Sequence, residues 1–225
     1  MTGMDWNAAL TYLPYFLEVL LWGAVTTVIC TAGGFVVSVA LGIVFGGFSS
    51  SPSPLLRGIA YVYVEVFRAV PLLTLLFIIY FGLATIGLKF DAISAAIIGF
   101  GVHGGAYLSE VFRAGILSIN KGQSEAAFTI GMTRLMAFRY IILPQSVRVV
   151  LPPLANFAIG LLKDTSLASA VAAPEMMFNA GRLASETFFA TEIYLLVALL
   201  YLCMSLPLSY LSRSLERRMG KGYAR

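Results

Sequence analysis

KGQSEAAFTIGMTRLMAFRYIILPQ, residues 121–145, is a polar interruption in a chain that is otherwise strongly apolar. Lys121, Arg134 and Arg139 lie there among residues that favour helix, with Gly131 in the middle and Pro144 near the end. The pattern is that of a charged, capped and broken helix. Such a segment is unexpected in an apolar chain, so its role must be inferred together with the sequence around it.

The local signals in this segment predict two short helices joined at a glycine. Ser124 is a good N-cap, and Glu125 would place a negative charge in the first helical turn. Gly131 suits the left-handed position that ends a helix. Thr133 can cap a second helix, which we expect to run until Pro144 disrupts it. Such a compact knob suits a groove in a partner protein; the alternative is an amphipathic loop that lies on the bilayer.

The composition around this segment is that of a membrane protein. Hydrophobic residues make up 59% of the 225 and only 12% are charged, where a soluble domain has about 25%. The mean hydropathy is +0.88. We therefore expect an all-α membrane protein in which residues 1–225 form a single transmembrane domain. Cys30 and Cys203 fall inside apolar runs, so both are predicted to be small buried hydrophobes without a disulfide.

Charged residues divide the apolar sequence into about five spans, each near the ~20 residues that a helix needs to cross the hydrocarbon. The fourth is short and contains Pro152 and Pro153, so it crosses only if Arg148 and Lys163 snorkel or if the helix starts earlier, near Gln145. No Lys or Arg precedes Arg57, so the first span has no basic signal-peptide region before it and should be retained. The predicted spans are residues 19–48, 69–88, 92–109, 149–162 and 193–212.

The basic residues predict the orientation of these spans, with the N-terminus outside and the C-terminus in the cytoplasm. The inner segments then contain Arg57, Arg113, Lys121, Arg134, Arg139, Arg148, Arg213, Arg217, Arg218, Lys221 and Arg225. The outer segments contain Lys89, Lys163 and Arg182 together with Asp91, Asp164, Glu175, Glu186 and Glu192. The basic residues that give the net charge of +4 are thus distributed according to the side of the membrane. They form no continuous patch that would bind nucleic acid.

Two smaller patterns concern packing. A helix over residues 57–68 is predicted to lie in the membrane interface before Pro71. Gly42 with Gly46, and Gly101 with Gly105, each form a GxxxG pair that predicts close helix packing.

The run EAAFTIGMTRLMAFRYIILP resembles the EAA signature of permease subunits of ATP-binding-cassette importers. That signature is Glu-Ala-Ala, three residues, Gly, nine residues, Ile, one residue and Leu-Pro. The stretches VEVFRAVPLL, GAYLSEVFRAGILSINKGQ and LPPLANFAIGLLKDTSLAS are similar to the polar amino acid and opine branch. The residues that match the signature are Glu125, Ala126, Ala127, Gly131, Ile141, Leu143 and Pro144.

The resemblance implies a permease of the type I importer class in the bacterial cytoplasmic (inner) membrane. Its segment at about 121–145 would be the coupling loop that seats in a separate ATPase subunit, through Glu125, Ala126, Ala127, Gly131, Leu143 and Pro144. The chain has no GxxxxGK[ST] phosphate loop, so it is not itself expected to be an enzyme. ATP and Mg²⁺ would be bound by the ATPase. A second permease, identical or paralogous, and an external amino-acid-binding protein are also implied.

An amino acid carries two charges, so its passage needs polar groups that face the interior of the helix bundle. Asn156 and Tyr107 are candidates to line the cavity, whereas Lys163 and Asp164 either pair to pin the outer loop or shape the outer mouth. The full set of pathway candidates is His103, Tyr107, Asn156, Lys163, Asp164, Thr165 and Ser166.

Two other classes of function remain open from the residues alone. An ATP-independent secondary transporter needs ionisable groups within the membrane, and Glu65 and Glu110 stand only at span ends. A membrane enzyme needs a catalytic cluster, and His103 is the only histidine, with no spacing that suggests a metal site.

Overall fold

The computed structural model describes residues 6–220, and this part of the chain is built of helices and turns without a strand. Lys221 and Arg225, which were counted in the predicted inner tail, lie outside the described residues. Two π-helical turns, Ile78–Gly82 and Phe138–Ile142, and two 3-10 segments, Leu83–Ile86 and Thr165–Val171, interrupt the α-helices. The α-helices are α1 (Trp6–Ser49), α2 (Pro54–Ala69), α3 (Leu72–Phe77), α4 (Ala92–Leu117), α5 (Lys121–Thr129), α6 (Arg134–Ala137), α7 (Leu143–Asp164), α8 (Met176–Thr187) and α9 (Ala190–Gly220).

Four helical stretches in residues 6–220 are long and apolar enough to cross a membrane: Thr11–Ser49, Ala92–Leu117, Arg134–Val171 and Ala190–Ser214. A fifth span exists if the bent pair formed by Pro54–Ala69 and Leu72–Ile86 is counted as one. The predicted all-α membrane fold with about five spans is confirmed, whereas its orientation stays a prediction.

The second predicted span, residues 69–88, is wrong as a continuous helix. α2 ends at Ala69, and the helical path turns by 102° before Leu72. Pro71 causes this break because it has no N–H to donate and it forces Val70 into an extended conformation, with φ −82° and ψ 125°. The helix predicted before Pro71 is present as α2, and the stretch after it ends at Gly87 with φ +90°.

The fourth span begins well before the predicted residue 149. Pro152 and Pro153 lie inside α7 without ending it, and the helical path extends back through the π-helical turn to Arg134. Each proline removes one backbone donor but fits the helical φ, and the following turns remain helical. The prolines therefore weaken this helix locally without dividing it.

The chain divides into two compact units. The first unit holds the described residues up to Gly34, together with Pro71–Gly99 and Gly160–Pro207. The second holds Phe35–Val70, Phe100–Ile159 and the described residues from Leu208 onward. The helices α1, α4, α7 and α9 each contribute a segment to both.

The core of the first unit forms around α8, in a stretch that the sequence analysis treated only as an outer connection. α8 is short and amphipathic, and its apolar side is buried rather than exposed. Its core side chains pack with those of α1 and α9. The buried cluster consists of Phe16, Leu20, Met176, Ala180, Leu183, Ile193 and Val197.

In the second unit the GxxxG pairs hold α1 against α4, as predicted. A Cβ atom added at Gly42 would lie 2.8 Å from the Cβ of Leu108, and one at Gly46 would lie 3.0 Å from the Ser109 carbonyl oxygen. The glycines on α4, Gly101 and Gly105, face α1 just as closely. The two helices approach so closely because at each of these contacts one of them has a glycine without a side chain.

The two cysteines differ in burial. Cys30 is fully buried, as predicted, whereas Cys203 lies on the exposed side of α9 and the prediction for it was wrong. An apolar run of a membrane helix has the same sequence pattern whether its side chains are buried in the protein or exposed on its surface.

Candidate functional site

The polar segment at residues 121–145 folds as the two short helices α5 and α6, but α5 begins earlier than predicted. Asn120, not Ser124, is the N-cap, and its side-chain oxygen accepts from the Gly122 N–H at 2.8 Å. The prediction of Ser124 as the cap was wrong because Asn120 offers an equally good cap one turn earlier. As a result Glu125 is the fifth residue of α5, not part of its first turn, and the carboxylate is too far along to complement the helix dipole.

The junction between α5 and α6 is formed as predicted. Gly131 has φ +83°, the left-handed conformation in which a side chain is disfavoured. The Gly131 N–H donates to the Phe128 carbonyl at 3.0 Å, and the Met132 N–H donates to the Ala127 carbonyl at 3.1 Å. Thr133 then caps α6 by accepting from the Met136 N–H at 3.3 Å. These bonds fix the angle between the two helices.

Pro144 does not disrupt the second helix, which corrects the prediction. The π-helical turn Phe138–Ile142 precedes it, and the Leu143 N–H reaches back five residues to the Phe138 carbonyl. The wider turn makes room for a residue that cannot donate and that would crowd the carbonyl four residues before it. The Gln145 side-chain amide donates to the Ile141 carbonyl at 2.9 Å, which supplies a donor beside the proline.

The signature residues divide into a buried and an exposed set. Ala127 is buried and Ile141 is partly buried, whereas Glu125, Ala126, Gly131, Leu143 and Pro144 are exposed. Large apolar side chains are exposed on the same loop, which is unusual for a segment this polar. They are Phe128, Ile130, Leu135, Met136, Phe138, Tyr140 and Leu143, with Ile130 and Leu135 each 74% exposed.

A polar pocket of about 380 Å³ lies in the second unit, between α2 and α4. Within it the Arg113 Nη2 atom lies 2.6 Å from the Glu110 Oε2 atom, and both groups belong to α4. Glu65 and Arg68 of α2 line the same pocket. The other lining residues are Ser49, Arg57, Tyr61 and Val64, which brings three guanidinium groups and two carboxyl groups to one cavity.

This pocket was not predicted, although the sequence contains a signal for it. The pentapeptide EVFRA occurs twice, at residues 65–69 and 110–114. Each copy places a carboxylate and a guanidinium three residues apart, on one face of a helix. That both copies line one cavity depends on how α2 and α4 pack, which no local pattern reveals.

The predicted pathway residues fall into both units. In the second unit the Tyr107 ring stacks on Phe157 with centroids 5.7 Å apart, and the buried Nδ1 atom of His103 has no hydrogen-bond partner. Asn156 accepts from the Ser212 hydroxyl at 3.0 Å and donates to the Glu216 carboxylate at 3.3 Å, so it ties α7 to α9.

The remaining pathway candidates belong to the first unit. Lys163 and Asp164 are both exposed at the end of α7. Thr165 is fully buried and donates to the Leu162 carbonyl at 2.6 Å, and Ser166 is partly buried. The Thr165 hydroxyl is therefore satisfied within its own helical turn.

Glu175 is a buried ionisable residue that sequence reasoning placed in an outer connection. It caps α8, where its carboxylate accepts from the N–H groups of Met177 at 2.9 Å and Phe178 at 2.6 Å. The Tyr201 hydroxyl donates to it at 3.2 Å. Burial raises the pKa of the Glu175 carboxyl, although these donors favour its charged form. In the described residues, no three His, Cys, Asp or Glu side chains come together to hold a metal ion.

Comparison with known proteins gives a consistent result. The chain matches the family described as "Binding-protein-dependent transport system inner membrane component" over residues 38–221. The probable glutamine ABC transporter permease protein GlnM of Bacillus subtilis is 37% identical over 212 residues, which cover 94% of this chain and 94% of that protein. The glutamine transport system permease protein GlnP of Escherichia coli K12 is 36% identical over 222 residues, which cover 96% and 97%.

Solved structures agree with these relatives. The crystal structure of an amino acid ABC transporter with histidines matches with a TM-score of 0.88 at 32% identity, covering 97% of this chain and 100% of that chain. An inward-facing structure of the MetNI methionine ABC transporter shares the fold at a TM-score of 0.64 and 19% identity.

The helical fold with four or five candidate spans and a capped loop of two short helices defines a multi-pass membrane protein. The chain belongs to the family of binding-protein-dependent transport system inner membrane components, which are permease subunits of ATP-driven importers. The alternative of a secondary transporter finds no support among these relatives.

Proposed function

We propose that this chain is the permease subunit of an amino acid importer and that it forms the translocation pathway as one transmembrane domain. The observation that carries the choice of substrate is the agreement of the relatives. Two relatives named for glutamine are 37% and 36% identical over more than nine-tenths of this chain. The structure that matches with a TM-score of 0.88 is also that of an amino acid transporter.

The loop at residues 121–145 is proposed to couple the permease to a separate ATPase subunit, which binds ATP and Mg²⁺. Its support is the combination of a rigid base and an exposed apolar surface. Gly131 and Thr133 fix the angle between α5 and α6, and Ile130 and Leu135 stand exposed. An exposed apolar pair on a rigid element is what an interface with another protein requires. In this proposal Glu125, Ala126, Ala127, Gly131, Leu143 and Pro144 form or support that contact.

The polar pocket of the second unit is a candidate site for the two charged groups that every amino acid carries. Glu65 and Arg68 are exposed in the pocket wall, while Glu110 and Arg113 neutralise each other in an ion pair. A guanidinium can hold the α-carboxylate and a carboxylate the α-ammonium, so the site replaces the water that the substrate loses. His103, Tyr107 and the other predicted pathway residues remain candidates beyond this pocket.

The assembly is proposed to contain a second permease, identical or paralogous, and a solute-binding protein on the outer side. The whole complex would lie in the inner membrane of a bacterium. Its support is the family itself, whose members are inner membrane components that depend on a binding protein.

Reconstitution into vesicles tests the function. The chain is purified with the ATPase, the binding protein and any second permease that its neighbouring genes encode, and uptake of radiolabelled glutamine and other amino acids is measured. Uptake should require ATP hydrolysis, with ATP supplied on the side of the vesicle membrane to which the ATPase is bound. Uptake driven by an ion gradient without ATP would contradict the proposal.

Substitutions in the pocket test the proposed site. Glu65→Gln and Arg68→Gln should each raise the KM for uptake with little change in complex assembly, because each removes one charged partner of the substrate. Lys89→Gln is the control, since Lys89 is exposed in the first unit and does not line the pocket. An unchanged KM in both pocket variants would show that the substrate does not bind in this pocket.

A further inference from the structure

An apolar groove of about 320 Å³ lies in the second unit, on the side of the molecule where α1 and α4 end. Ile43 and Gly47 of α1 and Phe112 of α4 form one wall. Phe138 of the π-helical turn and the first turns of α7 form the other. The walls are almost wholly apolar, so the groove does not suit the charged substrate of the importer.

One polar atom is exceptional in this groove. Ser146 lines it and is only 3% exposed, and its buried hydroxyl oxygen has no hydrogen-bond partner. A buried hydroxyl without a partner is costly, and such groups are rare in folded proteins. An occupant with one acceptor oxygen and an otherwise apolar body would satisfy both the hydroxyl and the walls.

The length and position of the groove fit a lipid chain. Its lining along α7 runs from Leu143 to Leu154, and the eleven helical steps between them span about 16 Å at 1.5 Å per residue. Half of the hydrocarbon thickness of a bilayer is about 15 Å. The groove therefore extends over about one leaflet, from the end of the helices that leads into the loop at residues 121–145.

Basic residues stand beside the groove in the sequence. Arg139 follows Phe138 and Arg148 follows Val147, both of which line the groove, and both arginines are exposed. No carboxylate is among the lining residues. Guanidinium groups near the end of a membrane span attract anionic headgroups.

We propose that this groove is a binding site for an anionic glycerophospholipid. One acyl chain lies along the apolar walls, an ester carbonyl oxygen accepts a hydrogen bond from the Ser146 hydroxyl, and Arg139 and Arg148 attract the phosphate-bearing headgroup. The site is separate from the polar pocket, and it joins the ends of α1 and α4 to the start of α7. A lipid bound there would brace the base of the loop against the membrane spans.

Retention of lipid by the purified protein tests the site. The complex is extracted into detergent, supplied with phosphatidylglycerol or phosphatidylethanolamine of identical acyl chains, and examined by native mass spectrometry. The intact protein should retain phosphatidylglycerol in preference. Gly47→Leu should reduce this retention on the order of tenfold, a loss of about 1.4 kcal/mol of binding free energy, because the new side chain fills the groove.

The chain offers a matched control for that variant. A Cβ at Gly47 or at Gly58 would meet nothing within 4 Å, so neither backbone forbids a larger residue. Gly58 lies on α2 and does not line the groove. Gly58→Leu should therefore retain lipid as the unaltered protein does. Equal retention by the Gly47→Leu variant would overturn the proposal.

Two further variants separate the lipid from other occupants. Ser146→Ala should abolish the preference for ester-linked over ether-linked phosphatidylglycerol, since the ether lacks the carbonyl acceptor. Arg139→Gln with Arg148→Gln should abolish the preference for phosphatidylglycerol over phosphatidylethanolamine. If hydrogen exchange shows the groove protected only when the ATPase or a second permease is bound, a protein occupies it and the proposal is wrong.

Discussion

Glu175 places a carboxyl group in the packed interior of the first unit, where a charge is poorly hydrated. Burial raises its pKa, and the N–H groups of Met177 and Phe178 only partly offset this effect. Because the pKa in the folded state lies above that in the unfolded state, the stabilising contribution is complete below the ordinary glutamate pKa. It is lost as the pH rises through the raised value.

Replacing this carboxyl group should separate its charge from its hydrogen bonds. Glu175→Gln should remove the loss of stability as the pH rises, since the amide does not ionise but still has an acceptor oxygen. Glu175→Ala should lower the free energy of unfolding by about 1–3 kcal/mol, because the buried donors lose their acceptor. The apparent Tm in detergent between pH 5 and 8 measures both, with the exposed Glu186→Gln on the same helix as control. A Glu175→Gln variant with the pH profile of the parent would refute the assignment.

Gly131 is the second residue with a specific role, because its φ of +83° excludes most side chains. Gly131→Ala should cost about 1 kcal/mol or more in the loop and weaken both ATPase co-purification and uptake. A Cβ there would meet nothing within 4 Å, so the cost is in the backbone alone. Gly131→Asn is the matched control, since asparagine tolerates this conformation better and should retain more coupling. Full coupling in both variants would show that the turn needs no glycine.

At the scale of elements, the packing of α1 on α4 depends on glycine as a spacer. Gly101→Ala should destabilise the protein by about 1–3 kcal/mol, because its Cβ would collide with the branched side chain of Val37. Gly160→Ala in α7 meets nothing within 4 Å and should stabilise the helix by up to about 1 kcal/mol. The two variants should therefore shift the apparent Tm in opposite directions. An apparent Tm that is unchanged or higher in the Gly101→Ala variant would mean that α1 and α4 do not pack this closely.

How far the sequence predicts these elements depends on the range of the interaction. The turn at Gly131 and the cap at Thr133 follow from one or two residues each, and the prediction was correct. The cap at Asn120 was missed because several residues compete for that position. The end of α2 before Pro71 likewise follows from one local residue. The wide turn before Pro144 is an alternative to the α-helix, and the burial of Glu175 depends on partners that are distant in sequence. The polar pocket needed the packing of α2 on α4.

At the scale of the whole molecule, the distribution of charge remains the guide to orientation. Basic residues are concentrated in the segments predicted to be cytoplasmic, and the loop at residues 121–145 alone carries Lys121, Arg134 and Arg139. An ATPase can reach this loop only from the cytoplasm. The proposed coupling to an ATPase is therefore possible only if the predicted orientation is correct.

Single cysteines test the orientation in intact cells. In a background in which Cys30 and Cys203 are replaced, Gln123→Cys should resist a membrane-impermeant maleimide added from outside and react after lysis. Lys89→Cys should react from outside. Both positions are exposed, so burial does not protect either of them. Labelling of Gln123→Cys in intact cells would show that the loop lies outside and that the predicted orientation is wrong.

The π-helical turn before Pro144 also bears on how this chain can change during evolution. Such a turn holds one residue more than an α-helical path needs, so losing one residue between Phe138 and Ile142 would leave both flanking helices in register. The regular helix that resulted would then bring Pro144 against the carbonyl four residues before it. Deletion is therefore costly unless the proline is replaced as well. The two changes form an epistatic pair, in which the deletion is harmful if it occurs first.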